Sequence, residues 1–148
     1  MKTIALRFGE HFAPECGTIA AHQKVIDQLG YVWYGKMGSP VSTRIIEELK
    51  TQDNMRILLI HSGKTNRYWA HISEITKETP HLNEIPDYYR DLTEKFKTWF
   101  KVTSFEQAPK DIMSKCYVVS SGKNLGDASK HSMSPFFIII YKENSGEG

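Results

Sequence analysis

Hydrophobic and polar positions along the chain alternate between two periods, which predicts strands and helices in turn. Thr3–Phe8 is apolar and alternating enough for a first strand. GEHFAPECG then reads as a loop punctuated by Gly9, Pro14 and Gly17. Thr18 is placed to cap a helix carrying Ile19, His22, Val25, Ile26 and Leu29 at helical spacing, and Gly30 stops it. Tyr31–Tyr34 is a short aromatic strand, and GKMGSP a flexible connector. Ser42 or Thr43 caps a second helix with Ile45, Ile46 and Leu49 on its apolar face.

The second half is richer in strands. RILLIHS (Arg56–Ser62) is a continuous apolar run that suits a strand covered on both faces. GKTN predicts a turn, and Arg67–Ile75 the returning strand of a hairpin. A polar, proline-bounded loop follows, then a short helix over Asp87–Lys95, a strand over Trp99–Phe105, a helical turn at DIMSK and a short strand at Tyr117–Ser120. SGKNLGDASKHSMSP reads as a long loop, FFIIIY (Phe136–Tyr141) as a central strand, and residues 143–148 as a frayed tail. No repeat or composition break divides the chain, so residues 1–148 are expected to form a single domain. About six strands with two to three helices predict an α/β (α+β) fold. The expected form is a curved mixed sheet or partly open β-barrel with the helices outside and the loops gathered at one mouth.

Composition adds bounds. At 148 residues, 40% hydrophobic and 24% charged, the chain is an ordinary globular protein. A net charge of +2 is too mild to imply a large, sequence-blind DNA-binding surface and leaves room for a local basic pocket. Arg7 and Glu10 interrupt the N-terminal apolar run, so no signal peptide is expected. No stretch reaches transmembrane length, and the expected location is cytoplasmic. Cys16 and Cys116 have no partner pattern and read as reduced thiols.

Candidate chemistry is narrow. The chain contains no GxxxxGK[ST], GxGxxG, CxxC or HExxH, and its six histidines are scattered, so neither cofactor nor metal is expected. The aromatic pattern is more informative. Trp33-Tyr34-Gly35-Lys36 ends a strand beside a glycine loop, and Phe96, Trp99 and Phe100 cluster at another strand start. Neighbouring residues of a strand face opposite ways, so one ring of each pair goes to the core and the other can stand at the sheet end. Two aromatic planes can sandwich a base, each stack contributing about 1–3 kcal/mol. The ordinary alternative for each ring is simple core packing. Lys36, Lys64, Arg67, Lys123, Lys130 and His131 fall in the expected loops, where they would contact phosphate if those loops share a mouth.

These residues resemble a family. VWYGK, a capped helix and RILLIHSGKTNRYWAHISEI are similar to the core of YTH and EVE domains. EKFKTWFKVTSFEQAP resembles their strand entry, and SKHSMSPFFIII their closing loop and strand. The resemblance spans most of residues 31–142 and implies a PUA-like fold of the EVE, YTH and ASCH group. Such a domain flips out one base and holds it in an aromatic cage. By that resemblance Trp33 is the first cage wall, and Phe96, where YTH domains usually have Trp, is the second, with Trp99 nearby. Tyr34, Gly35, Lys36 and Ser39 supply polar contacts to base edges, His61 and Ser62 close the LLIHSG strand, and Lys130 and His131 approach phosphate. The segment GEHFAPECGTIAAHQ lies where EVE-like domains carry an extra strand and loop, so Glu10, His11 and Glu15 are further candidates.

The function this implies is a non-enzymatic nucleic-acid binding module that recognises a modified base in DNA or RNA, or a free nucleotide. It would work within a defence or restriction-type system, beside a partner effector protein. One alternative is an ASCH-like amidohydrolase or nuclease acting on a modified nucleoside, with Lys36, Thr43 and Glu47 as the nearest set. The helix cap and i,i+4 spacing explain Thr43 and Glu47 equally well. Another alternative is a small-molecule or nucleotide sensor domain.

Overall fold

The computed structural model describes residues 1–61, 66–132 and 134–142. Among them are seven strands, β1 (Lys2–Phe8), β2 (Val32–Met37), β3 (Arg56–His61), β4 (Arg67–Thr76), β5 (Phe96–Gln107), β6 (Cys116–Val118) and β7 (Phe136–Tyr141). Three α-helices join them, α1 (Thr18–Leu29), α2 (Thr43–Lys50) and α3 (Leu125–His131). The strands are hydrogen-bonded in the order β2-β5-β4-β3-β1-β7-β6, with parallel and antiparallel neighbours, so the sheet is mixed and does not close. This is the expected mixed architecture, with seven strands against about six predicted.

The chain divides into two compact units. The first holds Met1–Phe8, Ile57–Trp69 and the chain from Gln107 onward. Here β1 pairs parallel with β3 (Ala5 opposite Leu58) and antiparallel with β7 (Ile4 opposite Ile138). Flanked on both sides, β1 buries Ile4 and Ala5 completely, and β3 does the same with Ile57, Leu58 and Leu59, which is why both read as near-continuous apolar runs. Trp69, Ile112, Cys116, Leu125 and Ile139 complete this core. Arg7 ties in the segment after α3: its guanidinium donates to the carbonyls of Ser129 and Ser132 at 2.7 Å each and of Ser134 at 2.9 Å.

The second unit holds Gly9–Arg56 and Ala70–Glu106. Helix α1 begins one residue earlier than the pattern predicts. Gly17, at φ +94°, is the cap, and Thr18 is the first helical residue. The capping side chain comes from upstream, since Glu10 Oε1 accepts from the Thr18 N–H at 2.8 Å and its hydroxyl at 2.9 Å. Gly30 closes α1 in the left-handed conformation, donating to the Ile26 carbonyl at 2.7 Å. Ser42 caps α2, accepting from the Ile45 N–H at 3.3 Å.

Three expectations change. Gly35 and Lys36 do not lie in a flexible connector. They continue β2, which pairs antiparallel with β5 from Val32 opposite Val102 to Met37 opposite Phe96. In place of a helix over Asp87–Lys95 there are short 3-10 turns at Asp87–Tyr89 and Thr93–Lys95, with another at Leu82–Glu84. The serine-rich loop contains α3, whose Leu125 alone is buried, so it carried no apolar stripe to read. Ser62, Lys64 and residues 143–148, where a frayed tail is expected, lie outside the described residues.

Candidate functional site

Strand β2 sends its neighbouring rings to opposite sides, as a pleat requires. Trp33 joins Ile85, Tyr89, Phe96 and Trp99 in one buried cluster of the second unit. Tyr34 turns the other way, and its ring lies 4.9 Å from that of His22 on α1. Trp99 packs edge-on against its neighbours, while Tyr89 and Phe96 lie closer together, at 4.3 Å and tilted by 34°. Phe96 and Trp99 meet at 5.1 Å and 65°, and Tyr89 and Trp99 at 5.9 Å and 65°. The structure therefore brings Trp33, Phe96 and Trp99 together, as a packed cluster rather than as two parallel plates. Glycine is required in the middle of it: a Cβ on Gly35 would stand 2.5 Å from Cγ of Phe96.

Polar groups are threaded through the cluster. The Gly35 N–H donates to the Tyr89 hydroxyl at 3.2 Å. Glu84 Oε1 accepts from the Tyr31 hydroxyl at 2.8 Å and from Nε1 of Trp33 at 3.2 Å, tying the turn at residues 82–84 to β2. That hydrogen bond holds the Tyr31 phenol above its ordinary pKa. Among the described residues around this cluster, Nε1 of Trp99 and Nε2 of His22 are buried without a hydrogen-bond partner. His22 is completely buried, and its Nδ1 donates to the Thr18 carbonyl at 2.8 Å, so the lone pair is on Nε2. Burial lowers its pKa to about 4, opposed by that hydrogen bond. Burial likewise raises Tyr34, Tyr88 and Tyr89, so all three phenols stay protonated at neutral pH.

A groove of about 620 Å³ opens beside this cluster. Ala21, Val25, Ile85, Pro86 and Tyr88 form its apolar lining, and Cys16, Lys24, Gln28, Asn83, Asp87 and Arg90 its polar one. Tyr88 belongs to both places. It lines the groove, and its ring packs at 5.0 Å on Tyr89 and at 6.3 Å on His22. The groove is of ligand size, with polar and apolar groups lining it in nearly equal measure.

The remaining expected site residues separate into two sets. Lys36 lies in β2, not in a loop, and is 5% exposed, because its stem is buried in the sheet. Its Nζ donates to the carbonyls of Ser39 at 2.7 Å and Met37 at 3.2 Å, and burial lowers its pKa. Thr43 accepts from Nζ of Lys77 at 3.2 Å, and Glu47 is exposed on α2. The other set belongs to the first unit. His61 is buried at the end of β3 with its ring 4.9 Å from that of Phe8. Arg67 is in β4, and Lys130 and His131 are in the last turn of α3 rather than in a loop. His131 lines a separate groove of about 860 Å³ with Lys123, Asn124, Asp127, Ser132 and Phe137.

The residues missed by sequence reasoning are His22, Tyr88 and Tyr89, together with Glu84, which accepts from Tyr31 and Trp33. His22 sat on an apolar helical stripe and read as core. The Tyr-Tyr doublet just after Pro86 was the available signal for the other two. Among the described residues no group of three or more His, Cys, Asp or Glu could hold a metal ion, and no helix is long and apolar enough to cross a membrane. Protonated phenols, a neutral imidazole of low basicity and flat apolar faces can orient and bind a planar molecule; they make a poor acid–base pair at neutral pH. No curated protein and no solved structure matches the chain. A family model does match, over residues 4–136, and the chain therefore belongs to the Pua-like family.

Proposed function

We propose that this Pua-like domain is a non-enzymatic reader of a modified base in nucleic acid, with the base held in the groove beside Tyr88. Membership of the family suggests nucleic-acid binding in general. The finer reading is carried by one observation: a ligand-sized groove runs along α1 and ends on Tyr88, whose ring is continuous with the Trp33, Tyr89, Phe96 and Trp99 cluster. A base laid against such a surface gains about 1–3 kcal/mol by stacking. Lys24 and Arg90 line the same groove, where they can meet phosphate.

In this reading the chain is one domain of the EVE, YTH and ASCH group, a cytoplasmic module that works as the recognition part of a restriction-type system. Phe96 and Trp99 support the base from behind, through Tyr89, rather than as facing plates of an open cage. Lys130 and His131 contribute phosphate contacts in their own unit.

The test is titration with single-stranded DNA and RNA oligonucleotides carrying unmodified and methylated bases, followed by tryptophan fluorescence. Binding should weaken about tenfold or more in Tyr88→Ala, a half-buried position at the margin of the cluster. It should also fall steeply with rising salt. Equal binding by Tyr88→Ala would remove the groove from the reading. Salt-independent binding would make the domain a sensor of a neutral small molecule instead.

A further inference from the structure

We infer that Nε2 of His22 reads the edge of the ligand, accepting one N–H of a neutral heteroaromatic base admitted past Tyr88. This rests on the reading that the groove takes a base, and it names which edge is read.

The first support is the atom itself. The Thr18 carbonyl can only accept, so Nδ1 of His22 carries the proton and Nε2 presents a lone pair. That lone pair is fully buried and has no partner among the described residues. A buried acceptor stripped of water and given no donor is uncommon, because the lost hydration is not replaced. A ligand N–H replaces it.

The second support is position. His22 follows Ala21 on α1, and Ala21 and Val25 line the groove. Tyr88 lines the groove with one part of its ring and packs on His22 with another, at 6.3 Å and 83°. Tyr88 is half-buried and stands between the groove and His22, and the inference requires this one side chain to turn aside to admit the base. Tyr34, tilted at 4.9 Å, and Tyr89, edge-on at 5.0 Å, flank the imidazole.

The third support is charge. Burial keeps the imidazole neutral at physiological pH, so it accepts a hydrogen bond and does not donate two. The ligand class follows. A base with a ring imino N–H or an exocyclic amino group fits, and any modification it carries lies on another edge. A base whose reading N–H is replaced by N-methyl or oxygen is rejected about tenfold to a hundredfold, because it leaves the buried nitrogen unpaired.

The experiment uses wild-type protein labelled with ¹⁵N-histidine, titrated with the four common nucleoside 5′-monophosphates and their N-methylated forms. Tryptophan fluorescence reports occupancy, and the ¹⁵N shift of His22 Nε2 reports its hydrogen bond. The expected result is that bases presenting the N–H occupy the site and move the Nε2 resonance upfield. The N-methylated forms at that edge should bind at least tenfold more weakly, and His22→Phe should erase the difference. Occupancy with an unmoved Nε2 resonance overturns this inference and leaves base binding in place. No occupancy by any base overturns both.

Discussion

The backbone N–H of Gly35 donates to the hydroxyl of Tyr89 at 3.2 Å, a link across 54 positions of chain that fixes the 3-10 turn after Pro86 against β2. Both partners are buried, and both are demanding. A side chain on Gly35 would collide with Phe96 at 2.5 Å, and loss of the phenol would leave a buried amide unpaired. Gly35→Ala should therefore destabilise the fold by about 1–3 kcal/mol through overpacking. Tyr89→Phe should lose a similar amount, about 1–3 kcal/mol, through the orphaned N–H. Denaturant unfolding of the two variants checks both, and unchanged midpoints would show that β2 and the turn are not held in this way.

His22 makes stability depend on pH in a defined window. Its folded-state pKa is about 4, against 6.5 for the free side chain. Between those values the unfolded chain binds the proton and the folded chain does not. Stability from this residue is thus fully present above pH 6.5, falls as pH drops, and levels off below about 4. At 1.36 kcal/mol per pKa unit the total is about 3 kcal/mol. His22→Phe should flatten the dependence in that window. A wild-type midpoint that does not move between pH 7 and pH 5 would contradict the assigned burial.

Arg7 organises a different region. Its guanidinium donates to three carbonyls of residues 129–134, and its backbone N–H to Pro135 O at 2.9 Å. Arg7→Met keeps the stem and removes the donors, leaving those carbonyls without their charged partner. The expected cost is about 2–3 kcal/mol. Amide exchange should accelerate in α3, whose C-terminal turn leads into the segment Arg7 holds. Arg7→Lys, a single point donor in place of a fork, should recover only part of the loss.

What was legible in the sequence follows from where the physical signal lies. Strands β1 and β3 are buried on both sides and carry it in their own composition, and β7 is an apolar run although only Phe137 and Ile139 of it are buried. Helix α1 carries it too, in a stripe and a glycine stop. Helix α3 does not, because a single buried leucine makes no period. Lys36 read as a loop residue because its type suggests exposure, while its burial depends on pairing with β5 and on carbonyls at 37 and 39. The aromatic residues at Trp33, Phe96 and Trp99 stood out in the sequence, but their cluster is completed by Tyr89, which packs on Phe96 and Trp99 and arrives from a segment that reads as an ordinary short helix. His22 occupies a helical core position, and its unpaired nitrogen is evident only once Tyr34, Tyr88 and Tyr89 surround it.

Glu84 gives the last prediction, because it ties that segment down at a single carboxylate. One oxygen accepts from both Tyr31 and Trp33, and Trp33 is only 7% exposed, so its indole N–H has little access to water. Glu84→Ala leaves that N–H unpaired and frees the turn at residues 82–84 from β2. The global cost should be about 1–3 kcal/mol for the orphaned indole N–H. The local effect should be larger: amide exchange through residues 82–90 should rise well above that of α1, and Trp33 fluorescence should change as its carboxylate partner goes. Since Tyr88 lies in this segment, loosening it should also speed ligand entry to the groove without removing any group that touches the ligand. Association should accelerate and dissociation accelerate with it, leaving affinity nearly constant. Loss of affinity with unchanged rates of entry would instead place Glu84 in direct contact with the ligand.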